Sequence, residues 1–102
     1  MLFKLATPQE VAGELGRRLR ERRLSLNLTQ AETAARAGTS LGALQNLERT
    51  GLVTVEVLFR VAGALGVLDQ LEPVFVTRSV SIEQMEAASQ KRRRASRKGD
   101  KQ

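Results

Sequence analysis

Residues 41–49 carry the most distinctive side-chain chemistry in this chain. Helical periodicity places Leu44 and Leu47 on the inward face of a predicted helix. The opposite face consists of Leu41, Gly42, Gln45, Asn46 and Arg49. Asn and Gln amides can form paired hydrogen bonds with adenine, and an aliphatic side chain can cover a thymine methyl group. This face therefore indicates contact with base edges in the major groove of double-stranded DNA.

Some of these side chains also have an ordinary structural interpretation. Leu41 lies beside Leu44 in helical phase, so it can belong to the apolar core. Gln45 and Asn46 can be surface residues that contact only water. Both interpretations stay open at the level of the sequence.

Two short helices joined by a tight turn must position this face. Thr29 and Glu32 form a predicted capping box at the start of the first helix of the pair. Gly38 is placed to end that helix, because glycine tolerates the left-handed backbone conformation. Ser40 is the predicted N-cap of the following helix, which Gly51 closes. The pattern predicts a helix-turn-helix, whose second helix enters the major groove of DNA.

Three further helices are predicted around this pair. Thr7 and Thr54 are the N-caps of the first and the fourth helix. A fifth, short helix spans about residues 68–75, and Pro73 inside it can break or kink it. Short helices with short connections predict a compact all-α domain of five helices.

Three glycines lie inside these predicted helices. Gly13 and Gly16 belong to the first helix and Gly63 to the fourth. A glycine inside a helix costs stability unless it permits a close approach of two helices. The sequence does not decide between a close crossing and a merely weakened helix.

The net charge of +6 comes from the end of the chain. Residues 91–102 hold seven Lys or Arg and one acid, whereas residues 1–90 hold ten of each kind. We expect a domain over residues 1–76, and a region over residues 77–102 with a linker, a short helix and a disordered basic tail. The tail is either a solvated end or a source of non-specific DNA contacts from Lys91, Arg92, Arg93, Arg94, Arg97 and Lys98.

Composition excludes several classes of function. The chain has no His, Cys, Trp or Tyr, so it cannot build a His or Cys metal site or a nucleophile that depends on His or Cys. We therefore expect no enzyme activity, no cofactor and no metal. Its apolar runs are too short to span a bilayer, and residues 1–5 lack the pattern of a signal peptide. These features predict a cytoplasmic protein without membrane contact.

Residues 15–66 resemble the phage-repressor/Cro (xenobiotic-response-element) family of helix-turn-helix regulators. The pattern that matches is Thr29-Gln30-x-Glu32, then Ala37-Gly38-Thr39-Ser40, then Leu44-x-x-Leu47-Glu48-x-x-Gly51. The resemblance implies a lambda-repressor-like domain in which Glu48 is mainly structural. The residues it implies for DNA binding are Gln30, Thr39, Ser40, Leu41, Gly42, Gln45, Asn46 and Arg49.

This chain departs from the family at the start of the recognition helix. Leu41 and Gly42 stand where many relatives carry Gln, Arg or Lys. The helix therefore offers fewer hydrogen-bonding groups to bases. We expect sequence readout to rely on Gln45, Asn46, methyl contacts and DNA shape.

Residues 6–12 and 58–66 also resemble HipB-like antitoxins. That resemblance implies a nucleoid-associated homodimer that represses its own toxin–antitoxin operon at a near-palindromic operator. The implied partner is a HipA-like kinase toxin or its accessory subunit. HipB-like dimers pair strands near the end of the chain, and no strand-forming segment follows Leu68 here. We expect the dimer surface to use Leu68, Leu71, Val74 and Phe75 instead.

Two other functions remain open at this stage. The chain could be a stand-alone or phage-type regulator with the same DNA-binding domain. It could also be an interaction protein that neutralises a toxin and binds DNA only weakly. A kinase-like reading frame beside the gene would favour the antitoxin.

Overall fold

The computed structural model describes residues 1–77, and these residues form helices and connecting turns without any strand. A short 3₁₀ helix, Phe3–Leu5, precedes four α-helices. These are α1 (Pro8–Ser25), α2 (Gln30–Ala37), α3 (Leu41–Thr50) and α4 (Val55–Ala64). A second 3₁₀ helix spans Leu68–Leu71. Chain contacts divide the protein into two compact units, Met1–Glu72 and Pro73–Gln102, and all four α-helices lie in the first.

The predicted starts of the four α-helices are confirmed. Thr7 and Thr29 each exchange two hydrogen bonds with the glutamate three positions later, which completes both capping boxes. The hydroxyls of Ser40 and Thr54 accept from backbone amides in the first turns of α3 and α4. Local sequence therefore sets these boundaries, because each cap satisfies amides that have no partner within the helix.

The core of the first unit lies between all four α-helices, with Ala34 and Ala37 contributed by α2. Leu44 and Leu47 of α3 are only 0% and 1% exposed, and they pack with Val61 and Leu65 from the α4 region. Burying each such side chain stabilises the fold by roughly 1.5–3 kcal/mol. The predicted inward face of α3 is thus confirmed, and it anchors the helix while its opposite side stays outside the core.

Two glycines allow α1 and α3 to pack closely. A Cβ atom added at Gly16 would lie 2.0 Å from the carbonyl oxygen of Leu47. Gly51 has φ +74°, and its added Cβ would lie 1.9 Å from the carbonyl oxygen of Ala12. A Cβ atom added at Gly13 would contact nothing within 4 Å. Gly16 therefore permits the crossing, whereas no contact within the described residues requires glycine at position 13.

A buried ion pair also joins α1 to α3. Arg23 and Glu48 are 6% and 8% exposed, and Arg23 donates to both Glu48 oxygens, from Nε to Oε2 at 2.6 Å and from Nη2 to Oε1 at 3.0 Å. Arg23 Nη1 donates to the carbonyl of Leu28 at 2.8 Å. Burial alone would raise the pKa of the Glu48 carboxyl, but hydrogen bonds from Arg23 and Gln30 outweigh it and lower that pKa. Glu48 is therefore an ionised acceptor at neutral pH.

The predicted fifth α-helix is wrong. Leu68–Leu71 form only a 3₁₀ helix, closed by i→i+3 bonds such as that from Gln70 N to Val67 O. Pro73 has no amide hydrogen with which to continue a helix, and Phe75 has φ +62°. The described part of the chain thus has four α-helices where the sequence predicted five.

Several predictions concern residues outside the described part. The short helix and the basic tail that we expect in the region of residues 77–102 both lie there. The domain boundary at residue 76 also stays a prediction, because most of the region expected after it lies outside the described part. Within residues 1–77, no helix combines the length and the apolar composition needed to cross a membrane.

We expect Gly16→Ala to lower the free energy of unfolding by about 1–3 kcal/mol, because the added methyl group would overlap the Leu47 carbonyl. Gly13→Ala is the matched control, and we expect it to raise that free energy by roughly 0.5–1 kcal/mol through helix propensity alone. Urea unfolding followed by circular dichroism measures both changes. An unfolding midpoint for Gly16→Ala at or above that of the wild type would contradict the close crossing.

Candidate nucleic-acid interface

The turn between α2 and α3 presents the start of α3 at the protein surface. Gly38 adopts φ +70°, which ends α2 in the left-handed region that favours glycine. The amide of Thr39 then donates to the carbonyl of Ala34 at 3.1 Å. The confirmed turn spans only residues 38–40, so α3 begins immediately afterwards.

The first turn of α3 has an exposed polar and apolar surface. Ser40 Oγ accepts from the Ala43 amide at 3.0 Å, and a serine hydroxyl in this role can still donate its own hydrogen. Leu41 is 43% exposed, which favours a surface position over the core position that the sequence left open. An added Cβ at Gly42 would contact nothing within 4 Å. No atom of residues 1–77 requires glycine at position 42, and the missing side chain leaves the backbone of α3 accessible to a partner at this point.

A polar cleft lies beside this surface, where α1, α2 and α3 meet. It has a volume of about 470 Å³ and is lined by Arg20, Gln30, Gln45, Glu48 and Arg49. Three of the predicted DNA-binding residues, Gln30, Gln45 and Arg49, are thus brought together. Two guanidinium groups and two amides in one open cleft form a surface that complements an anionic, hydrogen-bonding partner.

A chain of hydrogen bonds crosses the floor of the cleft. Gln30 Nε2 donates to Glu48 Oε1 at 3.0 Å, so the second helix is linked to the buried ion pair. Gln45 Nε2 donates to Gln30 Oε1 at 3.3 Å. Gln30 is half-buried, and Gln45 is exposed at the outer end of this chain. The polar groups of Gln45 that this bond leaves unused are therefore available to a partner in the cleft.

Asn46 lies at a different place and is already engaged. Its Nδ2 donates to the carbonyl of Leu52 at 2.7 Å, and its Oδ1 accepts from Thr50 Oγ1 at 3.2 Å and from Arg49 Nη2 at 3.3 Å. These bonds tie the amide to the end of α3. Base contact by Asn46 stays a prediction, but it requires these bonds to break. The geometry favours Gln45 as the amide that is ready for a base.

The arginines of α1 have different surroundings in the structure. Arg17 forms ion pairs with Glu14 and Glu21, and Arg22 Nε donates to the Leu65 carbonyl at 2.8 Å. Arg20 alone among the α1 arginines lines the open cleft, and it forms no ion pair with the carboxylates of residues 1–77.

Helical phase contains the signal that distinguishes Arg20. It lies four positions after Gly16 and three before Arg23, so the three residues share one side of α1. Gly16 and Arg23 both contact α3. Helical phase thus groups Arg20 with two residues that contact α3, but the sequence alone does not show that this side of α1 faces α3.

The four residues predicted for a dimer surface fall into both units. Leu68 is 46% exposed and Leu71 half-buried, and both belong to the first unit. Val74 and Phe75 are exposed and belong to the second. The structure therefore describes two short apolar segments rather than the single helix face that the sequence predicted.

Comparison with known proteins agrees with this geometry. No curated protein matches the chain. Residues 19–68 match the family described as helix-turn-helix, a range that contains α2, the turn, α3 and all the residues that line the polar cleft. This match, of Cro/C1 type, supports the phage-repressor/Cro family of DNA-binding helix-turn-helix transcriptional regulators for this chain.

Proposed function

We propose that this protein is a sequence-specific DNA-binding repressor that acts as a homodimer. Each subunit places α3 in the major groove of one half of a near-palindromic operator. One observation carries this proposal: α3 buries Leu44 and Leu47 on one side and borders the open cleft with Gln45 and Arg49 on the other. A helix held in this way can enter a groove without loss of its core contacts.

The start of α3 supplies the contacts to the DNA backbone. The Ser40 hydroxyl donates to a phosphate oxygen while it continues to cap the helix, and Thr39 contacts the same strand. Gly42 lets the sugar–phosphate backbone approach closely, since no side chain intervenes. Leu41 covers a thymine methyl group with its exposed side chain. Phosphate contacts position the protein, and base contacts supply the specificity.

Arg20 and Arg49 add charge to the contact with phosphates. They line the cleft from α1 and from the end of α3, so they flank the amides that face the bases. Basic side chains that neutralise phosphates release counterions, which makes affinity depend on salt. The basic tail, residues 91–98, adds further non-specific phosphate or minor-groove contacts.

The dimer surface uses the apolar residues near the end of the first unit. Leu68 is exposed there, and its side chain lies near Gly63 of α4. Gly63 is one helical turn after Phe59, which is also exposed. Contiguous exposed apolar surface is characteristic of a protein interface. Leu71 is the second dimer residue that we propose in this unit. Val74 and Phe75, which are exposed in the second unit, are proposed as dimer residues in their own right. A two-fold arrangement of subunits requires a near-palindromic operator.

The biological setting we propose is a toxin–antitoxin operon with a HipA-like kinase toxin, or its accessory subunit, as the partner in the cytoplasm. This part rests on the resemblance of residues 6–12 and 58–66 to HipB-like antitoxins. A stand-alone or phage-type regulator has the same DNA-binding domain. An interaction protein that only neutralises a toxin has no need of the cleft. The content of the neighbouring reading frame separates these functions.

We expect the protein to bind DNA from upstream of its own gene with a dissociation constant between about 10⁻⁸ and 10⁻¹¹ M at physiological salt. Fluorescence anisotropy with scrambled competitor DNA measures this affinity and its specificity. A DNA that carries only one half-site is the control, and it should bind much more weakly because it engages one subunit of the dimer. Weak binding of equal strength to operator and scrambled DNA would contradict the proposed function.

We expect Arg20→Ala to reduce the slope of log K against log salt by about 0.9, the contribution of one neutralised phosphate. Arg17→Ala is the matched control on the same helix, because Arg17 is paired with Glu14 and Glu21. It should leave the slope unchanged. Titrations of operator DNA at four or more salt concentrations give both slopes. Equal slopes for the two variants would show that Arg20 does not contact the backbone.

Truncation after Gln90 tests the basic tail. The shortened protein should bind operator and scrambled DNA more weakly by about the same factor, since phosphate contacts carry no sequence information. Its salt dependence should also flatten. The same titrations measure both effects. A slope identical to that of the full chain would exclude the tail from DNA contact.

A further inference from the structure

We propose that the buried Glu48 carboxylate determines which base Gln45 reads, and that Gln30 transmits this choice as a positioning residue. In this arrangement Gln45 selects adenine over guanine at one position of each half-site. The inference rests on the proposed DNA-binding function, and it extends that function by assigning a chemical basis to one step of base recognition.

The first step is the orientation of the Gln30 amide. An ionised carboxylate only accepts hydrogen bonds. Glu48 already accepts from Arg23 through both oxygens, at 2.6 and 3.0 Å, in a site where water has little access. Gln30 must therefore turn its NH₂ group towards Glu48, as the 3.0 Å distance from Nε2 to Oε1 shows. The opposite orientation would place two oxygen acceptors against each other.

The second step is the orientation of the Gln45 amide. Because the NH₂ group of Gln30 faces inward, its Oε1 faces Gln45. An oxygen can only accept, so Gln45 must donate through Nε2, which lies 3.3 Å away. Gln45 is exposed, and it retains its own Oε1 and the second hydrogen on Nε2. Because Glu48 can only accept, it thus determines the orientation of the Gln30 amide, and Gln30 in turn determines that of the Gln45 amide at the surface of the cleft.

The third step is complementarity to a base. The groups that remain on Gln45 are one acceptor and one donor, side by side on one edge of the amide. Adenine presents an N7 acceptor and an N6 donor in the major groove, whereas guanine presents the acceptors N7 and O6. The donor–acceptor edge of Gln45 matches adenine. A reversed amide, held through one lone pair of its oxygen, would leave both N–H groups free to donate, and two donors suit the N7 and O6 acceptors of guanine.

Base preference, rather than overall affinity, distinguishes this role from a purely structural one. A residue that only stabilises the fold weakens binding to all operators by the same factor. A positioning residue changes the ratio of affinities for adenine and guanine at one base pair. The experiment therefore measures that ratio at every position of the operator, with adenine and guanine exchanged one position at a time.

Gln30→Met is the principal variant, since it approximately keeps side-chain length and removes both hydrogen bonds. We expect the wild-type protein to prefer adenine about tenfold or more at one position per half-site. In Gln30→Met this ratio should fall to within about threefold, with the ratios at other positions unchanged. Gln9→Met is the matched control, because Gln9 is exposed in the first turn of α1 and is not among the cleft residues. It should keep the wild-type ratio.

Gln45→Met identifies the residue that reads the base. This variant should lose the same adenine preference, and addition of Gln30→Met to it should change the ratio no further. Persistence of the preference in Gln45→Met would overturn the inference, because another residue would then read that position. Loss of the preference in Gln45→Met with full retention in Gln30→Met would overturn it as well, because Gln45 would then need no positioning.

Glu48→Gln keeps the size of the side chain at the buried end of this series of hydrogen bonds, but the new amide can donate as well as accept. In the folded variant, confirmed by circular dichroism, the preference for adenine should fall because either orientation of the Gln30 amide is then allowed. An unchanged ratio in this folded variant would overturn the role of Glu48. Failure of the wild-type protein to distinguish its operator from scrambled DNA is a different result, which would overturn the proposed function itself.

Discussion

The buried ion pair between Arg23 and Glu48 is the interaction on which the rest of the domain depends. It joins the end of α1 to α3 and holds the connection to α2 through the Leu28 carbonyl. A buried charge that loses its partner costs about 3–5 kcal/mol, so neither residue can change alone without a large loss of stability. The same carboxylate accepts from Gln30 at the floor of the cleft. One interaction therefore serves both the fold and the geometry of the proposed interface.

The two sides of α3 have separate roles, one in the core and one at the surface. Leu44 and Leu47 are buried, and Gly16 allows the backbone of α3 to approach α1. Close packing leaves α3 little freedom to shift, since a well-packed core resists even small displacements. The side chains on the opposite side are consequently presented from a rigid support. Contacts of defined direction, such as those of Gln45, require such a support.

Prediction from the sequence succeeded where a feature depends on a few neighbouring residues. The capping threonines and the glycine at the end of α2 act within one turn, so their residue types identify the boundaries. Prediction failed where one residue opposes the structure that the spacing of its neighbours favours. The apolar spacing over residues 68–75 resembled a helix, but Pro73 removes a required donor and only a 3₁₀ helix forms. Periodicity also does not reveal the hydrogen bond from the Asn46 amide to the carbonyl six residues later; base contact by Asn46 stays a prediction.

The sequence by itself determined where the four α-helices begin, which side of α3 is buried, and that a helix-turn-helix is present. These properties are local or periodic, so they are written in the spacing of a few residue types. Only the tertiary structure decided that Arg20 joins Gln30 and Gln45 in one cleft and that Arg23, Glu48, Gln30 and Gln45 form one chain of hydrogen bonds. The physical reason is distance along the chain. Arg23 and Glu48 are 25 residues apart, and only the packing of α1 against α3 brings them together.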